Sequence, residues 1–216
     1  MIDIALIRHR RKVLRQHFDV VRQFEELEES CVPSYVHGNG AAAAISWWRL
    51  AAAARLYQKH APGCAMLDFG AGTGEIHHLM HPKPVVYDFI EGNAILAGAL
   101  TAFIPAAKIK ILEEMEAGSY DAILALDSLE HNNDVAGLTA SLFAALKPGG
   151  LFILSGPTEN WLYRLGRRLA GFSGHYHTTT IADIEGHFRR HARLVDLASV
   201  PMPGLTLFRV SAWRKI

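Results

Sequence analysis

The feature that most constrains the fold is a glycine-rich turn between an apolar run and a helical stretch. Residues 66–75 have the sequence M-L-D-F-G-A-G-T-G-E, with glycine at alternate positions after Phe69. Glycine adopts positive φ angles without strain and lets a ligand contact the backbone, while the amides that open the next helix face that ligand. The sequence therefore predicts a strand, a ligand-binding loop and a helix, a unit that many nucleotide-binding folds share.

After residue 64 the chain alternates as expected for a parallel sheet. Helical stretches separate short apolar runs at residues 65–69, 84–89, 108–112, 120–126 and 151–155. This alternation predicts parallel strands with helices on both faces. Residues 192–200 and 205–214 form two more predicted strands, and the link between them is too short for a parallel crossover. We therefore predict a three-layer α/β/α, Rossmann-like fold whose seven-stranded, mostly parallel sheet ends in an antiparallel hairpin.

The chain before residue 60 is predicted to be a helical extension. Apolar residues recur there at three- and four-residue spacing, and Pro33 and the G-N-G at residues 38–40 interrupt the pattern. A second helix is expected over residues 42–60. We predict a helical extension or lid over residues 1–60 and one α/β domain over residues 61–216.

The charge and composition of the chain limit the kinds of partner and the cellular setting that we expect. The formal net charge is +1, which gives no general attraction to nucleic acid. Cys31 and Cys64 show neither metal-site spacing nor a disulfide framework, which favours a reducing, cytoplasmic setting. No apolar run approaches the roughly 20 residues of a membrane helix, and the N-terminus is a poor signal peptide. We expect a cytoplasmic protein without stable membrane insertion.

The spacing of the loop glycines and two nearby acids indicate which class of ligand the loop binds. The third glycine of a dinucleotide fingerprint would fall at position 75, where Glu75 fits poorly beside a pyrophosphate. Asp68 lies at the mouth of the loop, where a carboxylate repels phosphate and attracts an amino group or a sulfonium. Asp88, 20 residues further on, is placed to accept hydrogen bonds from ribose hydroxyls.

Four landmarks together resemble a known family. Residues 68–74 resemble motif I of class I S-adenosylmethionine-dependent methyltransferases, and Asp88 resembles their ribose-binding acid. Residues 120–131 (Y-D-A-I-L-A-L-D-S-L-E-H) are similar to their fourth strand, and residues 146–152 (L-K-P-G-G-L-F) to the turn before their fifth. The resemblance covers residues 64–156 and implies S-adenosylmethionine as cofactor. Among the members of the family, the chain is similar to the O-methyltransferases of quinone biosynthesis.

The resemblance also implies roles for individual residues. It places the methionine part of the cofactor on the loop, the ribose on Asp88, the adenine on Phe89 and the pocket wall at the end of the fourth strand. The implied cofactor-binding residues are Asp68, Gly70, Ala71, Gly72, Gly74, Asp88, Phe89, Leu126 and Asp127. The chain lacks the aspartate that the family often has after the third strand. Glu113, Glu114 or backbone groups around Met115 are the alternatives for contact with the adenine amino group.

A hydroxyl acceptor needs a general base, and histidine is the usual choice near neutral pH. The candidates are His131 after the fourth strand, His37 in a polar break between helices, and His175, beside His177, after the fifth strand. We therefore expect methylation of a small molecule, with oxygen favoured as the acceptor atom. A nicotinamide-dependent oxidoreductase and a non-catalytic cofactor-binding protein remain alternatives.

Several further features stay open. Asp127, Glu130 and His131 have a spacing with which some relatives hold Mg²⁺, although we predict no metal. Arg49 either grips the cofactor carboxylate or is a surface residue beside two tryptophans. The histidines at positions 77, 78 and 81 form either a metal site or a solvated helix face. Residues 161–169 form an amphipathic basic segment that either packs as a lid or contacts a membrane surface or a lipophilic substrate.

Overall fold

The computed structural model of the chain describes residues 3–27, 30–158, 160–161, 163 and 179–216. Within these residues one sheet of seven strands forms the centre of the molecule. The strands are β1 (Ala65–Phe69), β2 (Val86–Ile90), β3 (Lys108–Ile109), β4 (Tyr120–Leu126), β5 (Leu146–Pro157), β6 (Ala192–Met202) and β7 (Leu205–Lys215).

The strand order is β3-β2-β1-β4-β5-β7-β6. The first five strands pair in parallel, and β7 runs antiparallel to both β5 and β6. Leu67, at the centre of β1, aligns with Asp88 on one side and Ile123 on the other. The carboxyl ends of β1, β2 and β4 therefore meet at one edge of the sheet. The predicted parallel sheet with a terminal antiparallel hairpin is confirmed.

Eight α-helices are described. They are α1 (Ile4–His17), α2 (Phe24–Leu27), α3 (Val32–Val36), α4 (Gly40–His60), α5 (Glu75–Leu79), α6 (Ala94–Phe103), α7 (Val135–Ala145) and α8 (Ile181–Phe188). Asn39 and Asn93 explain where α4 and α6 begin, since each side chain accepts hydrogen bonds from two of the first free amides. Short 3₁₀ turns lie at Leu112–Glu114 and Leu129–His131.

Helices cover both faces of the sheet because its strands are apolar on both sides. Met66 and Leu124 share one core with residues of α4 and α6, whereas Leu67 and Ile123 pack on the other face in a core that includes residues of α7 and α8. Residues alternate between the faces of a strand, so a strand buried on both sides needs a helical layer on each. The three-layer α/β/α architecture is confirmed.

The extension before the sheet is helical but interrupted. The helix α1 ends at His17, and Val21 lies in a turn with 89% of its surface exposed. Trp47, Leu50 and Tyr57 of α4 join the same core as Met66 of β1. The division into an extension and a domain at residue 60 stays a prediction. Among the described residues, no helix combines the length and apolar character needed to cross a bilayer.

Candidate functional site

The loop after β1 has the backbone geometry that its glycines predict. The φ angles of Gly70, Gly72 and Gly74 are 68°, 57° and 73°, all in the left-handed region. A Cβ on Gly70 would lie 2.3 Å from the Cβ of Ser128, so only glycine lets the loop pack against the end of β4. A Cβ on Gly72 would meet nothing within 4 Å, and the backbone there is open to a ligand.

A cavity of about 550 Å³ lies above this loop, at the carboxyl ends of β1, β2 and β4. This is where open α/β sheets bind ligands. The N-terminal extension contributes to its wall through Glu25, Glu26, Ser30, Cys31, Val32 and Tyr35. Of the residues that the sequence singled out for the site, the cavity is lined by Asp68, Gly70, Ala71, Gly72, Leu126, Asp127 and His131. Gly74, Asp88, Phe89 and His37 are not among its lining residues.

Asp68 is an almost fully buried acid of the cavity wall, with 2% of its surface exposed. The hydroxyl of Tyr87 donates a hydrogen bond of 2.5 Å to its Oδ2. Burial raises the pKa of Asp68 to about 7, the Tyr87 hydrogen bond opposes that rise, and the nearby Glu91 adds to it. The carboxyl group therefore changes protonation near neutral pH, and a cation beside it would favour the charged form.

Asp88 and Phe89 lie within the sheet and do not reach the cavity. Phe89 is fully buried in the core. Asp88 is 5% exposed, and its Oδ2 accepts a hydrogen bond of 2.9 Å from the hydroxyl of Tyr120, a residue of the core on the α7 and α8 face. The strand ends at Ile90, later than the sequence predicted, so the acid that faces the cavity is the next residue, Glu91.

Glu91 joins the glycine loop to the start of α6. Its Oε2 accepts a hydrogen bond of 2.7 Å from the amide of Gly72, and its Oε1 accepts one of 2.9 Å from the amide of Asn93. The sequence pattern favoured Asp88 over Glu91 as the ribose-binding acid. The signal that could have found Glu91 is E-G-N at residues 91–93, since a turn before a helix is where a strand ends.

The cavity attracts positive charge. Among the described residues, those that line the cavity include neither lysine nor arginine but six carboxylates: Glu25, Glu26, Asp68, Glu75, Glu91 and Asp127. Two of the six are neutralised, Glu75 by Arg10 and Asp127 by Arg49. The other four form no ion pair within the described part of the chain. The excess of acid favours a cationic ligand and opposes a pyrophosphate.

The end of β4 is held in an unusual conformation. Asp127 has a φ of 54°, which is uncommon for a residue other than glycine. Its Oδ1 accepts a hydrogen bond of 2.7 Å from the hydroxyl of Ser155, and its Oδ2 pairs with the guanidinium of Arg49. The chain then turns through Ser128 to His131, and both residues line the cavity.

The surface alternative for Arg49 is wrong, and its contact with the cofactor carboxylate stays a prediction. Arg49 is 3% exposed, so it is not a surface residue, and it pairs with Asp127 without lining the cavity.

The other candidates fall outside the cavity or outside the described residues. The Nδ1 of His37 accepts a hydrogen bond of 3.0 Å from the amide of Asn39 in the turn before α4. His175, His177 and most of the segment 161–169 lie outside the described residues. The three candidates for the adenine contact, at positions 113–115, do not line the cavity.

No metal-binding group of three His, Cys, Asp or Glu side chains is found in the described ranges. The Mg²⁺ alternative at Asp127, Glu130 and His131 thus gains no support. Burial lowers the pKa of His77 to about 4 and that of His78 to about 3. Both rings are neutral at physiological pH, and their burial differs from the solvated helix face that the sequence suggested.

Comparisons with known proteins identify the family. The model of the methyltransferase domain matches residues 43–200, so the chain belongs to that family. It is a class I methyltransferase that uses S-adenosylmethionine, which excludes the oxidoreductase alternative. None of the curated proteins matches the chain in sequence.

Solved structures share the fold at low identity. One is the magnesium protoporphyrin IX methyltransferase of Synechocystis PCC 6803, with a TM-score of 0.67, 14% identity, and coverage of 95% of this chain and 99% of that one. The N-methyltransferase NodS of Bradyrhizobium japonicum has a TM-score of 0.64 and 14% identity over 79% and 87% of the two chains. The 1,6-didemethyltoxoflavin N1-methyltransferase of Burkholderia thailandensis has a TM-score of 0.60 and 19% identity over 90% and 89%. All three were crystallised with S-adenosylhomocysteine.

The residues of the cavity fit this cofactor. S-adenosylmethionine carries an ammonium, a sulfonium and a carboxylate, and is therefore cationic overall. The unneutralised acids at the cavity provide the complementary charge, and the open backbone at Gly72 lets a ligand approach the loop closely.

Proposed function

We propose that the enzyme transfers the methyl group of S-adenosylmethionine to a small-molecule acceptor, with oxygen favoured as the acceptor atom. The observation that carries the proposal is that Asp68 and His131 both line the same cavity. Asp68 would hold the cationic amino-acid end of the cofactor, together with Gly70, Ala71 and Gly72. His131, which lines the same cavity, would accept the proton of a hydroxyl acceptor. The bound cofactor supplies an activated methyl group.

The wall at the end of β4 would serve the acceptor. Leu126, Asp127 and Ser128 line the cavity beside His131. Methyl transfer requires an in-line approach of the acceptor atom and exclusion of water, so rigid placement of these residues matters more than chemical activation. The residues of the N-terminal extension that line the cavity, among them Glu26, Cys31 and Tyr35, would limit the acceptor to molecules that enter a cavity of this size.

The experiment is a turnover assay with a panel of acceptors and purified enzyme. Phenols, catechols, carboxylic acids and amines are incubated with S-adenosylmethionine, and release of S-adenosylhomocysteine is measured together with the mass of the methylated product. We expect turnover of hydroxylated acceptors. Methylation of amines alone, with no turnover of hydroxylated acceptors, would contradict the preference for oxygen. Binding of S-adenosylhomocysteine without turnover of any acceptor would favour a non-catalytic protein.

His131 provides a test of the base. Replacing it by asparagine is expected to lower kcat for a hydroxylated acceptor about 100-fold, the lower end of the range for a positioned base. The Kd of S-adenosylhomocysteine, measured by calorimetry, should stay within about threefold. An unchanged kcat would assign proton transfer to another group.

We further propose that Glu91, and not Asp88, holds the ribose. Glu91→Gln keeps an oxygen that can accept from the amide of Gly72 but removes the charge that strengthens hydrogen bonds to ribose hydroxyls. A charge-assisted hydrogen bond contributes about 1.5 kcal/mol or more, so we expect about tenfold weaker binding of S-adenosylhomocysteine by calorimetry. Asp88→Asn, the matched control in the same strand region, should leave the affinity within about twofold. A larger loss of affinity in Asp88→Asn than in Glu91→Gln would instead assign ribose binding to Asp88.

A further inference from the structure

Arg49 is a buried cation that lies outside the cavity but touches its walls. It occupies the middle of α4, has 3% of its surface exposed, and does not line the cavity. A guanidinium keeps its charge in a protein interior, so its burial is tolerated only where partners satisfy it. Those partners show what the residue organises.

One side of the guanidinium fixes the loop after β4. Its Nη1 donates to Oδ2 of Asp127, whose Oδ1 is already bound by the Ser155 hydroxyl and whose amide donates to the Ser155 carbonyl at 3.0 Å. Both carboxylate oxygens and the amide are thus held, which maintains the left-handed backbone of Asp127. Ser128 follows directly, and its hydroxyl donates to the carbonyl of Phe69 at 2.9 Å. The loop that carries His131 therefore starts from a fixed point.

The other side of the guanidinium holds the segment before α4. Its Nη2 lies 3.3 Å from Sγ of Cys31 and 3.4 Å from the hydroxyl of Tyr35, and both residues line the cavity. The ring of Phe208, in β7, lies 5.0 Å from the guanidinium carbon. The carbonyl of Tyr35 accepts from Arg11 and Trp47, both at 3.1 Å, so the segment 31–36 is anchored to α1 and α4 as well.

We propose that Arg49 is a positioning residue of the methyltransferase, which fixes the loop 127–131 through Asp127 and couples that loop to the cavity-closing segment 31–36. The planar fork of arginine binds partners on two sides at once, which the single ammonium of lysine does not. The role holds for any acceptor atom, but it rests on the proposed cofactor site. Failure of the unaltered enzyme to bind S-adenosylhomocysteine would therefore overturn the site and not the coupling.

The test measures S-adenosylhomocysteine binding by calorimetry in Arg49→Gln, Asp127→Asn and the double variant. We expect at least tenfold weaker binding in each single variant, and no further loss in the double variant, because both changes break one contact. Arg209→Gln is the control, since it removes an arginine from the buried carboxylate of Glu185 away from the cavity, and should stay within twofold. An Arg49→Gln affinity within twofold of the unaltered enzyme, or losses that multiply, would overturn the proposal.

Amide hydrogen exchange gives a readout that a purely structural role would not move. In the unaltered enzyme, S-adenosylhomocysteine should slow exchange in both segments, 31–36 and 127–131. Arg49→Lys keeps a positive charge beside Asp127, so its affinity for S-adenosylhomocysteine should be close to that of the unaltered enzyme. In this variant the ligand should no longer slow amide exchange in residues 31–36. Protection of both segments in that variant would refute the coupling. If Arg49→Gln does not fold, the double variant is measured instead, because it leaves no unpaired buried carboxylate. Binding of S-adenosylhomocysteine at least tenfold weaker than in the unaltered enzyme would support the proposal, and binding within twofold would overturn it.

Discussion

Binding of S-adenosylhomocysteine is expected to strengthen about tenfold per pH unit below pH 6 and to level off above pH 7. The cause is Asp68, whose pKa burial raises to about 7 in the ligand-free enzyme. In the proposed site Asp68 holds the ammonium group of the ligand, and only its ionised form attracts that group, so the apparent affinity should follow the ionised fraction. The ammonium keeps its charge over this range. Calorimetry between pH 5 and 7.5 measures the dependence.

Stability should change with pH in the opposite direction. An acid with a raised pKa in the folded state binds its proton more tightly there than in the unfolded chain. Its ionisation therefore lowers the free energy of unfolding as pH rises from about 4 to 7. As pH rises over this range, ionisation of Asp68 thus makes the ligand-free enzyme less stable, while the affinity for S-adenosylhomocysteine increases.

Asp68→Asn separates these effects because asparagine keeps the shape and removes the charge. Loss of one partner of a buried charge pair costs about 3 kcal/mol, which is on the order of 150-fold in Kd. We expect that loss at pH 7.5 and a much smaller one at pH 5, where the unaltered enzyme is already protonated. Tyr87→Phe is the companion variant, since removal of its hydrogen bond raises the pKa of Asp68 further and moves the pH dependence upward. An undiminished slope in Asp68→Asn would assign the titration to another group.

The sequence predicted those parts of the fold that depend on local pattern. The bounds of β1 and β4 agree with the apolar runs at 65–69 and 120–126, because both strands are central and apolar on both faces. The run 108–112 forms only the two-residue strand β3, and its exposed Ile109 and Ile111 explain why an edge strand is harder to delimit. The helical spacing of apolar residues also did not predict that the first helix ends at His17.

The site was predictable where the backbone dictates it and not where distant side chains meet. Gly70 and Gly72 could be found because a turn of this kind needs positive φ. The choice of Asp88 over Glu91 depended on where β2 ends, and strand ends are the least certain part of a pattern. Arg49 meets Asp127 across 78 residues and Arg10 meets Glu75 across 65, and no local spacing indicates such contacts.

Loss of Arg10 is expected to destabilise the folded enzyme by about 3–5 kcal/mol, because it leaves a buried carboxylate unpaired. Arg10 in α1 donates to both oxygens of Glu75 at 3.0 and 2.7 Å, and the Glu75 side chain is only 1% exposed. Within the described ranges, the hydrogen bond that Glu75 keeps in Arg10→Met comes from the hydroxyl of Thr73 at 3.3 Å. Urea unfolding followed by circular dichroism measures the loss.

The pH dependence and a second substitution identify the cause of that loss. Burial raises the pKa of Glu75 and Arg10 opposes the rise, so removal of Arg10 raises the pKa further and favours the neutral acid. The deficit of Arg10→Met should therefore shrink as pH falls, and the added change Glu75→Gln should restore most of the stability at neutral pH. Arg22→Met removes the exposed pair with Asp19 and should cost less than about 0.5 kcal/mol. A deficit that is constant with pH and survives Glu75→Gln would show that the packing of Arg10 against the ring of Phe103, and not its charge, holds α1 on the domain.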